Sequence, residues 1–170
     1  RGSRAEIEYD SSLRVQAVTE QVKADAARVV ERFEYGTVEM SAGNQCGRLI
    51  RHDDPAGTRY MTEYDLLGLA RSEISHFLKS LDPPDWPLDP AARDDWLEAE
   101  PGLASRWAYS PLGDLLSLTD ARGHRRQFGY SVAGQLTQGW LKPMGATERC
   151  LVRDIRYNPS GKVERETAGN

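Results

Sequence analysis

Apolar and polar residues alternate over short runs through most of the chain, and glycine-ended polar tetrapeptides interrupt the runs at regular intervals. Strict alternation of this kind is the signature of half-buried β-strands. It is plainest in the stretch from Tyr109 to Leu136, YSPLGDLLSLTDARGHRRQFGYSVAGQL, where Ser110-Pro111-Leu112-Gly113, Asp120 to Gly123 and Ser131 to Gly134 each separate two such runs. A type I turn favours Asp, Asn or Ser first, Pro second and Gly fourth, and a left-handed glycine after it makes a common bulged hairpin loop. The stretch is therefore predicted to be a β-meander. Alternation also predicts a strand pair from Ala5 to Glu20, around Ile7, Tyr9, Val15 and Val18, and a long strand from Thr147 to Tyr157. Residues 16–33 lack Gly and Pro and fit both periods. Their β-branched content favours two strands joined near Lys23-Ala24-Asp25-Ala26, with a helix as the alternative.

The turn sequences form a repeat. Tetrapeptides beginning at Asn44, Asp54, Asp65, Ser110, Asp120, Ser131 and Asn158 all end in glycine: Gly47, Gly57, Gly68, Gly113, Gly123, Gly134 and Gly161. Asp, Asn and Ser make up about one residue in six, so about two such matches would arise among the 15 glycines without a turn preference. Spacings of 10 and 11 residues separate Gly47, Gly57 and Gly68, and they recur between Gly113, Gly123 and Gly134. A turn plus a six- or seven-residue strand accounts for that period and marks a repeat architecture. Tyr9 to Val15 resembles one more unit, degenerate because Leu13 stands where the glycine belongs.

The strands share a grammar. Tyr64, Tyr109, Tyr130 and Tyr157 each immediately precede a turn, and Leu49, Leu115, Leu136 and Val163 each lie two residues beyond a turn glycine. In a hairpin these positions face one another as aromatic–aliphatic pairs, each contributing about 0.2–1 kcal/mol. These tyrosines are read as half-buried strand residues rather than a sugar-stacking row.

The rhythm fails between Ile74 and Trp107. The run from Asp82 to Pro90 holds four prolines, which remove ladder donors and fix φ, so it cannot be a continuous strand. Asp89 before Pro90 is a good helix start. The expectation is repeats over about 5–73 and 106–170, with a Pro/Trp-rich insertion over about 74–105 that carries a short helix and packs Trp86 and Trp96 on the sheet. A partner-docking loop is the alternative.

Composition narrows the classes. The 170 residues carry a net charge of −4 with mixed signs, and Arg122, Arg125 and Arg126 are the nearest approach to a basic patch, which argues against nucleic acid or an anionic membrane as partner. No apolar run approaches the roughly 20 residues that span a bilayer as a helix. The opening RGSRAEIEYD has neither an initiator Met nor the apolar centre of a signal peptide, and Ala168-Gly169-Asn170 stops where another turn would begin, so a piece of a longer chain is expected. Cys46 and Cys150 lie far apart and read as free thiols, with pairing as the alternative.

No catalytic constellation stands out. His52, His76 and His124 are scattered and no HxH, HExxH or CxxC spacing occurs, so no metal, cofactor or catalytic residue is assigned. His52-Asp53-Asp54 invites a metal or acid–base reading, but Asp54 is already needed to open a turn. Asp94-Asp95 and Glu98 to Glu100 read as a solvated acidic face.

The unit Tyr-(Asp/Ser/Asn)-x-x-Gly-x-(Leu/Val) resembles the YD repeats of RHS proteins. More narrowly, NQCGRLIRHDDPAG from Asn44 to Gly57, the DWPL of Asp85 to Leu88, VAGQL from Val132 to Leu136 and the end from Ile155 to Asn170 are similar to the C component of bacterial insecticidal toxin complexes, the TccC-like proteins. The resemblance implies an all-β fold in which antiparallel hairpins build a segment of a spiralling shell sheet. It also implies a non-enzymatic role: a wall that, with a B component, encloses a cytotoxic C-terminal domain of the parent chain until an A-component channel delivers it. Secretion within such a complex is implied too. The family's self-cleaving aspartate site and variable toxic domain lie outside residues 1–170. The alternative of a different class is a carbohydrate-binding or adhesive surface module using exposed Tyr and Trp, with a hydrolase far behind.

Overall fold

A computed structural model describes residues 2–169. Two compact units follow one another, dividing between Leu103 and Ala104. The first contains β1 (Ser3–Tyr9), β2 (Val15–Val22), β3 (Arg28–Tyr35), β4 (Leu49–Asp54), β5 (Gly57–Tyr64) and β6 (Ala70–Phe77), each antiparallel to the next. Residues 16–33 are thus two strands, not a helix. After β7 (Leu103–Tyr109), the second unit continues as the antiparallel meander β8 (Leu115–Thr119), β9 (Arg125–Tyr130), β10 (Leu136–Lys142), β11 (Arg149–Tyr157) and β12 (Val163–Ala168). The fold is all-β, built from antiparallel hairpins.

The turns show why the glycines keep step. At Asp65, Ser110, Asp120, Ser131 and Asn158 the first residue's N–H donates to the carbonyl four residues on, and the glycine N–H donates back to the first residue's carbonyl. The opening side chain caps the loop: Asp120 Oδ1 accepts from Arg122 and His124 N–H, and Asn158 Oδ1 from Ser160 and Lys162 N–H. The same geometry appears at Asp10, with Leu13 at φ +60° where the others have glycine. Two of the seven tetrapeptides differ. Asn44, at φ +54°, caps a short 3₁₀ segment, Val38–Gly43, that fills the β3–β4 connection. Asp54 pairs directly with Gly57 in a tighter hairpin; a Cβ on Gly57 would lie 2.0 Å from the His76 carbonyl oxygen, so close approach of β6 requires glycine there.

β6 continues through Phe77, and the strand-poor segment that follows folds back on it. Lys79 N–H donates to the Trp96 carbonyl and Glu98 N–H to that of Phe77. Within it the helix α1 (Pro90–Asp94) starts at Asp89, whose side chain accepts from Ala91 N–H. The segment also joins β3: Trp86 N–H donates to the Val29 carbonyl, and Val29 N–H donates to Asp85. Trp86, 1% exposed, stacks on Trp96 at 5.5 Å and with Leu97 completes the core that Ala17, Val30 and Met61 begin.

Candidate functional site

The predicted turn and aromatic residues come together as a scaffold. Every odd-numbered strand ends in tyrosine: Tyr9, Tyr35, Tyr64, Tyr109, Tyr130 and Tyr157. Each tyrosine pairs with the first residue of the next strand, Val15, Leu49, Ala70, Leu115, Leu136 and Val163 respectively. The hydroxyls make a second link. Tyr35 donates to the carbonyl of Val15 at 2.9 Å, Tyr64 to Leu49 at 2.5 Å, Tyr130 to Leu115 at 3.0 Å and Tyr157 to Leu136 at 2.7 Å. Each tyrosine therefore closes its own hairpin and staples it to the residue that closed the preceding one. Burial pushes the Tyr35, Tyr64 and Tyr130 phenols up, so these donors keep their protons at physiological pH. Tyr35 was invisible as a member because no Asp-x-x-Gly follows it. Its signal was only the aromatic at the end of a β-branched run.

The second arrangement is a buried ionic cluster. Asp53 is fully buried on β4, flanked on the same strand by Arg51 at 2.8 Å, and it accepts from Thr58 Oγ1 and from Arg93 of α1. Arg93 also reaches Glu34 and the Leu88 carbonyl, and Asp94 accepts from Arg51 and from Tyr60 Oη, both at 2.8 Å. Burial, then the Asp94 contact, pushes the Tyr60 phenol up to about 12. Asp94, its side chain 54% exposed, lies on the solvated acidic face and from there bonds Arg51 and Tyr60. His52 stacks on Phe33 at 4.4 Å and contacts Glu31 and Arg59, turned away from Asp53 as alternate residues of a strand must be.

Chemically this cluster is a clamp. Two arginines pair with three carboxylates, of which Asp94 and Glu34 keep contact with water, and a buried charge is tolerable only when so paired. It fixes α1 and the DWPL segment to β3 and β4. No group of three or more His, Cys, Asp or Glu side chains that could hold a metal occurs among the described residues, and Cys46 and Cys150 are free thiols. A cleft of ≈ 420 Å³ is bordered by Leu78, Pro83, Pro84 and Trp96. Trp86 offers no face to a sugar, and Trp140 is half-buried.

Known proteins match the same organisation. The RHS Repeat family model matches residues 109–138. Toxin subunits YenC2 and YenC1 of Yersinia entomophaga are each 29% identical, over 91% and 92% of this chain. The crystal structure of TcdB2-TccC3 superposes with a TM-score of 0.88 at 29% identity over 98% of the chain. The chain is similar to the TccC-like RHS-repeat proteins. The Photorhabdus luminescens Tc holotoxin pore gives a TM-score of 0.89 over 99%. This TccC-like chain spans 16% of the length of the two Yersinia subunits and 8% of the TcdB2-TccC3 and holotoxin chains.

Proposed function

We propose that this TccC-like segment is a non-enzymatic piece of wall in a toxin-complex shell that encloses a C-terminal toxin domain of the parent chain. The observation that carries the reading is the match along 98% of the chain to TcdB2-TccC3, at 29% identity and a TM-score of 0.88. The physical organisation supports it. A sheet whose hairpins are joined by a recurring staple extends by adding units. The partners are then a B component, which completes the enclosure, and through it an A-component channel; the complex is secreted. No nucleic acid and no membrane contact by this segment are part of the reading.

Co-expression of the full-length parent chain with a B-type subunit tests it. A stable complex in which the C-terminal domain resists protease is expected. Absence of a complex, or a C-terminal domain cleaved as fast as it is alone, would sink the reading.

A further inference from the structure

We infer that His52 is an acid-operated latch: its neutral imidazole ties β3, β4 and β5 together through Glu31 and Arg59, and on protonation it hands Arg59 to Asp54. His52 pairs with Phe33 on β3 and with Arg59 on β5, so these side chains share the face opposite to that of Asp53. Its Nε2 lies 2.7 Å from Glu31 Oε2, and its Nδ1 lies 2.6 Å from Arg59 Nη2. The first contact alone leaves the tautomer open. The second decides it, because a guanidinium has five donors and no acceptor, so Nδ1 must present its lone pair. The single ring proton is then on Nε2 and is donated to Glu31. Both ring nitrogens are occupied, and the side chain is only 13% exposed.

Histidine is the side chain whose charge changes on mild acidification. The second proton can only go to Nδ1, where Arg59 already donates, and two cationic donors would then meet at 2.6 Å. That contact must open. The Glu31 bond survives, because Nε2–H still donates to it and now does so from a charged ring. Arg59 has a second partner within reach: Nη2 lies 3.5 Å from Asp54 Oδ2, a loose ion pair in which both side chains keep contact with water. Asp54 Oδ1 is taken by the N–H groups of Ala56 and Gly57, which leaves Oδ2 to close on the guanidinium. The next carboxylate is one strand farther out, where Ser75 of β6, paired with Arg59, donates to Glu73. On the other side Glu31 is paired with Val18 of β2, which carries no charge. Protonation therefore cuts one continuous tie across three strands into two, Glu31 with His52 and Asp54 with Arg59, the second at the β4–β5 turn. All four residues lie on neighbouring strands of the first unit, so the latch is independent of the shell reading.

Nitrogen-15 NMR of the histidine and arginine side chains, between about pH 8 and about pH 5, tests the latch. At the upper end a scalar coupling is expected across the N–H···N bond from Arg59 to His52 Nδ1. It should vanish as His52 charges, and the Arg59 guanidinium shift should move with the same midpoint. His52→Gln can accept from Arg59 and donate to Glu31 but takes up no proton, so its Arg59 shift should stay flat over the range. Asp54→Asn keeps an oxygen for the turn N–H groups and removes the receiving charge; there Arg59 should leave His52 and reach the shift of a free guanidinium. No coupling at the upper pH, a coupling that survives protonation, or an Arg59 that titrates equally in His52→Gln would overturn the inference. So would an acid-form Arg59 shift that Asp54→Asn leaves unchanged, since Asp54 would then not be the receiver.

Discussion

The two units are made from one repeat and keep their interiors in different ways. In the first, the buried apolar residues are Ala17, Val30, Met61, Tyr64, Trp86 and Leu97, and the buried charges Arg51, Asp53 and Arg93 lie among them. In the second, among the described residues, Ile155 is the one large apolar side chain below a tenth exposure. The difference is the DWPL segment with α1, which lays a second layer over β3 and β4 and is fastened there by Arg93. A single sheet buries side chains on one face only when something covers that face. The hairpin repeat sets strand length, register and spacing; the core comes from whatever is laid on top.

Breaking the clamp gives the largest expected effect. Arg93→Ala strands the Asp53 carboxylate in a dry site and should cost the first unit about 3–5 kcal/mol. In urea titrations followed by fluorescence of Trp86 and Trp96, the transition should move to much lower denaturant. Signals from 104–170, reported by Trp140, should hold their midpoint if the units are as independent as their cores. A shared shift would show that the clamp supports both.

Removing one staple is a milder perturbation that compares the units on equal terms. Tyr64→Phe and Tyr130→Phe each delete a single hydroxyl and leave a carbonyl, Leu49 or Leu115, to find water, which should cost about 1 kcal/mol. Tyr64 is 8% exposed and Tyr130 is half-buried, so the loss should be greater at Tyr64. Equal losses measured by chemical denaturation would mean that the covering layer does not strengthen the staple.

Leu13→Gly works in the opposite direction. Leucine at φ +60° is strained where glycine is not, so the exchange should stabilise the first hairpin by up to about 1 kcal/mol, read as a higher midpoint of unfolding. Alkaline titration gives the smallest effect. The Tyr60 phenol is raised from an ordinary 10.0 to about 12, so the folded chain retains a proton that the unfolded chain releases in between. That stabilisation is complete below pH 10 and is lost as pH climbs through about 12. Tyrosinate absorbance should show Tyr60 ionising late, and Tyr60→Phe should remove the late step.

The sequence carried the hairpins because their information is local. Asp65 to Gly68 or Asn158 to Gly161 contains the whole turn, and the Tyr–Leu pairing follows from a fixed loop length. The staple was not legible, since its acceptors are backbone carbonyls with no side-chain signature, 15 residues away for Tyr64 and Tyr130 but 20 for Tyr35 and 21 for Tyr157. The clamp was hidden for a related reason. Arg93 and Asp53 are 40 residues apart, and the Asp89-Pro90 start that predicts α1 does not say which strand its arginine meets. Asp94 is solvated as its acidic neighbours Asp95 and Glu98 are, and no pattern of charges along the chain says which of these carboxylates meets Arg51. Asn44 misled through its spacing to Gly47, since a left-handed helix cap favours the same residue types as a turn.

The turn at Asp10 shows that the glycine is dispensable when the rest of the loop is intact. The Asp10 carboxylate binds the N–H groups of Ser12 and Arg14 and the Arg14 guanidinium, enough to hold Leu13 in a conformation leucine avoids. A fold secured in this redundant way can lose its most visible punctuation one copy at a time without losing a hairpin. Sequence patterns keyed to that punctuation will undercount its units, as the match confined to 109–138 in a chain of hairpins illustrates. The pitch of the wall can outlast the legibility of the text that encodes it.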